Sequence, residues 1–248
     1  MSISLERCET QGHHVQAPAR ERSVVSVEYE GWQGTVKVQL QPDGSPELAY
    51  LAGELDSRTA TWCNRREHER VYLRPAASRL SSLTGTAFVR LLIGLMTGRG
   101  GPRHAGLDYR GGIPVPADPQ LHASVSHSGS MVCAAVSRGA QVGIDVEPER
   151  RAPELRTVLA SLQTAPAEDM TDVQLVEWWT AREAVYKALG LGIAGFFSPE
   201  ALLIRGHRWS RGQVEGTLAT DEVVPAKRGP NHIMTIACIA IPSPGTVQ

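Results

Sequence analysis

Cysteine is scarce and scattered in this chain. Four occur in 248 residues, at Cys8, Cys63, Cys133 and Cys238, with no CxxC pair. Neither a sulfur-ligated zinc site nor a disulfide framework is therefore expected, and a reduced, cytoplasmic setting is. Net charge is nearly absent as well: 25 Lys+Arg against 26 Asp+Glu leave a formal −1. A chain so balanced has no bulk attraction for nucleic acid or an anionic membrane, and any anion site must be built from a few placed residues. No run approaches the roughly 20 apolar residues of a membrane span, and MSISLERCETQGHHVQ holds no apolar stretch of signal-peptide length. A Walker loop and a phosphatase nucleophile motif are also missing.

What is present organises into two halves. Residues 1–22 are polar and aperiodic and read as a flexible arm; its His13–His14 pair has no partner ligands at useful spacing. From Ser23, SVVSVEYEGWQGTVKVQLQPDG alternates as two strands around a glycine-containing turn. Residues 56–74 read as a charged helix, and 76–97 carry Leu80, Leu83, Ala87 and Leu91 at helical spacing. The Gly- and Pro-rich stretch 103–120 is the expected boundary, dividing an N-terminal half (23–115) from a C-terminal half (116–248). Beyond it, LHASVSHSGSMVCAAVSRGAQVGIDVEPE reads as a three-stranded meander. A helix through EWWTAREAVYKALG follows, with Gly190 and Gly192 as its stop, and ALLIRG and HIMTIACIAI close the chain as strands. The expected class is α+β, a small antiparallel sheet with helices in each half.

The stretch VGIDVEPE poses a problem of charge. On a strand, Asp145 and Glu147 point from one face while Ile144 and Val146 point from the other. Two carboxylates about 7 Å apart at an effective dielectric near 20 repel by roughly 2–3 kcal/mol, so either water screens them or a cation sits between. The helix offers a companion. Leu175, Trp178, Ala181, Val185 and Ala188 form a stripe suited to burial, and Trp179, Arg182, Glu183, Tyr186 and Lys187 recur on the adjacent face. Taken alone, Glu183 and Lys187 are an ordinary i,i+4 salt bridge on a solvated helix. Taken with Asp145 and Glu147, Glu183 makes a third hard oxygen ligand suited to Mg²⁺ and substrate phosphates, with Arg182 and Lys187 to meet remaining negative charge. His127, in SVSHSG, either donates to a phosphate or is bonded locally in its turn.

Three segments, SVSHS (124–128), VGIDVE (142–147) and WWTAREAVYKALGLGI (178–193), in this order and at these separations, resemble the signature motifs of the 4′-phosphopantetheinyl transferases, in particular the long surfactin-type class. The resemblance covers about residues 120–195. It implies transfer of phosphopantetheine from coenzyme A to a serine of an apo acyl or peptidyl carrier protein, releasing adenosine 3′,5′-bisphosphate. It implies Mg²⁺ on Asp145, Glu147 and Glu183, Lys187 on the diphosphate, Ser126 and His127 on coenzyme A, the histidine on a phosphate, and Glu183 as the base for the carrier serine, directly or through a metal-bound water. The implied fold is two similar α/β halves related by a pseudo-twofold with coenzyme A between them, and a chain holding both halves is expected to act as a monomer.

The chain departs from the family pattern in places. Arg182 stands where a lysine usually precedes the helix glutamate, and Gly112-Ile113-Pro114 stands where the loop usually reads Gly-Lys-Pro. In the first half, Arg79 is the candidate for the adenosine 3′-phosphate, with Arg74 and Arg90 as further candidates and a solvated helix arginine as the plain reading. LGLGIAGFF (189–197) is the candidate carrier-facing segment, although Phe196 and Phe197 also suit a core. Two other functions use the same residues: a Mg²⁺-dependent phosphohydrolase with water as nucleophile, or a catalytically degenerate protein that binds coenzyme A or a carrier.

Overall fold

The computed structural model describes residues 2–6, 22–161, 169–191, 202–225 and 230–240. Two antiparallel sheets, each covered by one long helix, make up these residues, so the fold is α+β as expected. The first sheet has strand order β1-β2-β3-β4-β8-β7, from β1 (Ser2–Glu6), β2 (Arg22–Tyr29), β3 (Trp32–Leu40), β4 (Pro46–Glu54), β7 (Leu121–Ser128) and β8 (Met131–Arg138). The second has order β10-β11-β12-β13-β9, from β9 (Ala140–Pro148), β10 (Leu202–Arg205), β11 (Arg208–Arg211), β12 (Val214–Val223) and β13 (His232–Ala240). A separate hairpin, β5 (Leu107–Arg110) with β6 (Ile113–Pro116), lies in the stretch read from sequence as loop.

Alternation along the strands sets the layers. In β8, Val132, Ala134 and Val136 join the cluster around Phe88, Leu91 and Leu92 of α2 (Ala76–Thr97). Cys133 and Ala135 point the other way, into a cluster with Val142, Ile144, Val146, Met234 and Ile236 of the second sheet. The second sheet in turn packs its far face on α4 (Asp172–Ala188), where Val185 and Tyr186 meet Trp209 and Ala237. The order is thus helix, sheet, sheet, helix. Each buried side chain of this size contributes about 1.5–3 kcal/mol.

By length and composition α2 could cross a membrane, but 78% of its most apolar window is buried inside the protein. It is the core helix of the first sheet. Several of its hydroxyls are satisfied within the helix, Ser82 donating to the Ser78 carbonyl and Thr86 to the Ser82 carbonyl. Arg90, near its middle, is buried against Glu67 at 2.9 Å and donates to the carbonyls of Pro102 and Arg103. Glu67 also closes the capping box of α1 (Arg65–Tyr72) with Asn64.

Several elements differ from the sequence expectation. Residues 2–6, assigned to the flexible arm, pair with β2 as an edge strand; SISLE alternates with period two but is too short to stand out beside the polar residues that follow. The expected helix over 56–74 is a 3-10 turn (Thr59–Trp62) followed by the shorter α1, because Asn64 caps a new start. The three expected strands of 121–147 are present, but β9 leaves the meander and pairs with β13, so the β7–β8 hairpin completes the first sheet, β8 pairing with β4 and β7 forming the edge. α3 (Ala152–Ser161) was not anticipated. Expectations for His13, His14, Gly192, Phe196 and Phe197 concern residues outside those described.

Candidate functional site

The site begins at the edges where the two sheets approach each other. β9 pairs with β13 along one side, and on its other side the Ile144 N–H donates to Ser124 Oγ of β7 at 3.1 Å. Val142, Ile144 and Val146 face the first sheet, so Gly143, Asp145 and Glu147 face α4. A Cβ on residue 143 would stand 1.9 Å from the Ala184 carbonyl oxygen. Glycine alone lets α4 lie this close to the strand, and that closeness delivers the next turn of α4 to Asp145.

Asp145 is almost fully buried and meets Lys187: Nζ to Oδ1 is 2.6 Å. The same ammonium donates to Ser126 Oγ at 2.9 Å and to the Ile144 carbonyl at 3.2 Å, and Ser126 Oγ donates to Asp145 Oδ1 at 2.7 Å. Glu183, one turn earlier, reaches Lys187 at 3.7 Å. Glu147 is held separately, by Ser128 Oγ at 2.5 Å and by Arg151, which also approaches Glu154 at 3.4 Å. Each carboxylate of the pair thus has one serine from β7 and one cation. That arrangement offsets part of the repulsion between them.

Ionisation in this cluster is strained. Burial first, and then the Asp145 and Glu183 charges, push the Glu147 carboxyl up to about 7, against the opposing pull of Ser128 and Arg151. Glu183 is raised by burial and by Asp145, with Lys187 drawing it back. For Lys187, burial favours the neutral amine, but Asp145 and Glu183 outweigh it and the ammonium is held above its usual range. One oxygen is left over: Asp145 Oδ2 is buried with no hydrogen-bond partner among the described residues.

A cleft of about 250 Å³ opens beside this cluster, lined by Lys187, Ser126 and His127 from one side and by Arg70, Arg74 and Tyr109 from the other. Arg70 lies 3.6 Å over the Tyr109 ring and donates to Thr86, whose hydroxyl meets the Tyr109 hydroxyl at 2.7 Å. Arg74 donates to Ser82, and its Nη2 lies 3.7 Å from where a Gly112 Cβ would be. His127 is held below its usual range by burial and by the Lys187 and Arg74 cations. Such a wall of cations suits a polyanion rather than a neutral ligand.

The geometry therefore brings Ser126, Asp145, Glu183 and Lys187 together, sets Glu147 beside them, and puts His127 in the adjoining cleft. Arg182 and Arg79 go elsewhere. Arg182 packs on the Trp178 and Tyr186 rings, its guanidinium carbon 4.6 and 5.8 Å from their centroids, and donates to Tyr186 Oη. Arg79 stacks on Tyr72 at 4.5 Å and donates to the Arg74 carbonyl, and of the three first-half candidates it is Arg74 that lines the cleft. Arg90 is consumed by the Glu67 ion pair. Sequence reasoning did not single out Gly143, Arg70, Tyr109, Ser128 or Arg151. Two of these had a signal: Ser126 and Ser128 repeat on β7 the two-residue spacing of Asp145 and Glu147 on β9, and Arg151 follows Glu147 by four.

The fit to a divalent ion is partial in geometry and good in chemistry. Among the described residues no three His, Cys, Asp or Glu side chains stand close enough to hold an ion. The donors nearest to doing so are all carboxylate oxygens, the preference of Mg²⁺, and the unpartnered Asp145 Oδ2 is an acceptor without a donor.

Residues 141–238 match the family model of the 4′-phosphopantetheinyl transferase superfamily. The matched span runs from β9 into β13, contains Asp145, Glu147, Glu183 and Lys187, and leaves residues 1–140 outside the likeness. No curated protein is similar enough to the chain to count as a match.

Proposed function

We propose that this protein moves 4′-phosphopantetheine from coenzyme A to a serine hydroxyl of an apo acyl or peptidyl carrier protein, releasing adenosine 3′,5′-bisphosphate, in the manner of the surfactin-type class. The observation that carries the reading is the Lys187–Asp145–Glu183 cluster opening through Ser126 into a cleft walled by Arg70, Arg74 and His127. Elements from both halves of the chain line that cleft, which supports a monomer as the working unit. Arg74, beside Gly112, puts a cation in the corner where the family loop has its lysine, and this favours a working transferase over a degenerate binder.

Attack on the β-phosphorus needs an aligned hydroxyl, neutralised oxygens and a proton acceptor. Glu183 is the acceptor: burial and the Asp145 charge raise its carboxyl above the usual glutamate range, which makes its carboxylate a stronger base for the serine proton. Lys187 holds charge on the diphosphate, Ser126 and Asp145 fix the ammonium in place, and His127 donates to a coenzyme A phosphate. Mg²⁺ when bound adds positive charge at the diphosphate oxygens; Asp145, Glu147 and Glu183 would hold it. A phosphohydrolase would need the same oxygens to orient water. Incubation with coenzyme A and an apo carrier separates the two: the transferase makes the carrier heavier by one phosphopantetheine, and Glu183→Gln lowers that rate by about 10²–10⁴-fold with coenzyme A binding retained. Unmodified carrier with the wild-type protein and hydrolysed coenzyme A in its place refutes the transferase.

A further inference from the structure

Both oxygens of Glu147 are already engaged. Oε2 accepts from Ser128 at 2.5 Å and Oε1 is paired with Arg151, while the glutamate itself is only 8% exposed. An ion bound by Asp145 and Glu147 needs a lone pair from each: Asp145 Oδ2 has no partner among the described residues, whereas both Glu147 oxygens already carry a donor and one of those donors is itself a cation that repels the ion. Arg151 sits in the 3-10 turn Glu149–Arg151 that joins β9 to α3, and its Nε lies 3.4 Å from Glu154 Oε2, a carboxylate whose side chain is 73% exposed. The guanidinium borders an open cleft of about 310 Å³ shared with Gly129, Arg150 and Glu154. It has somewhere to go and a second partner waiting there.

We infer that Arg151 is the resident competitor for the divalent cation at Glu147, and that swinging to Glu154 frees Oε1 for the ion. The inference rests on the metal role proposed for Asp145 and Glu147. Charge bookkeeping favours the exchange: the guanidinium keeps a carboxylate partner throughout, trading a mostly buried one for an exposed one, so the metal displaces the arginine without stranding it. Arg151 accordingly sets how tightly the site takes its ion, and Ser128 keeps the carboxylate aimed while it does so.

The test is Mn²⁺ binding to the full chain without coenzyme A or carrier, followed by the loss of the free-ion paramagnetic resonance signal, with Mg²⁺ as competitor. Arg151→Gln is expected to tighten Mn²⁺ binding about tenfold, equivalent to about 1.4 kcal/mol. Arg151→Lys, which keeps the charge, should stay within about threefold of wild type. Glu154→Gln should loosen binding about two- to threefold, and Arg151→Gln/Glu154→Gln should match Arg151→Gln, because the waiting partner matters only when the arginine is there. Circular dichroism melts identify any variant that fails to fold. If wild type binds Mn²⁺, Asp145→Asn abolishes that binding and Arg151→Gln leaves it unchanged or weaker, the competitor role is refuted while the metal site stands. If no variant binds Mn²⁺, the metal site itself is wrong and the role of Arg151 falls with it.

Discussion

Glu147 carries more information at the scale of one residue than any other side chain in the protein. Its carboxyl titrates near 7 in the folded chain against 4.5 for a free glutamate, with burial the main cause. The folded state therefore holds that proton more tightly than the unfolded state does. The stability this gives is fully present below pH 4.5 and is lost as pH rises through about 7. In chelator, denaturant titrations at pH 5 and pH 8 should show wild type losing more stability over that interval than Glu147→Gln, the difference between the two proteins isolating this group. An equal loss in both would mean that Glu147 ionises freely. The residue scale is also where sequence reading fell short. Helical spacing put Arg182 and Lys187 forward and the family pattern added Arg79, but spacing gives a side chain's azimuth and not its partners. Tyr72 claims Arg79, Trp178 and Tyr186 claim Arg182, and only Lys187 of the three reaches the carboxylates.

Among elements, the contact of α4 with β9 decides whether the site exists. The strand could be read from its period-two pattern and the helix from its stripe, and both lie close to where the sequence put them. Their approach could not, because it depends on Gly143 lacking a side chain beneath Ala184. Gly143→Ala should push the helix away from the strand, destabilise the fold by about 1–3 kcal/mol, and cut turnover by far more than the remaining folded fraction explains. Chemical denaturation together with the transfer rate of the folded protein checks this; a variant with wild-type rate and stability would show that the close approach is dispensable. Elements missed in the sequence lacked a local strand signal for different reasons. β4, PELAYLAGE, is built from residues that favour helices as much as strands, and its extended form is imposed by β3 and β8 on either side. In β12, most residues are exposed or half-buried, which erases the alternation by which a strand is recognised.

For the whole molecule, the decisive feature is that two sheets pack face to face while their edges β7 and β9 meet beside the cleft. Serines from one sheet then satisfy carboxylates from the other, and arginines from the first half face a lysine from the second. The pattern of strands and helices placed the chain among α+β proteins, its balanced charge called for a locally built anion site, and the three motifs located its C-terminal wall. The opposite wall of Arg70, Arg74 and Tyr109 rests on how α1, α2 and the β5–β6 hairpin converge, which no local pattern records. The central claim is that this convergence grips the pyrophosphate of coenzyme A with help from a divalent ion. Intact mass of an apo carrier protein after incubation with the protein and coenzyme A tests it most directly, run with Mg²⁺ and again in excess chelator. Conversion of the carrier to its phosphopantetheinylated mass with Mg²⁺, and none in chelator or with Asp145→Asn, is the predicted result; a carrier left unmodified with Mg²⁺, or modified equally by Asp145→Asn, would contradict it.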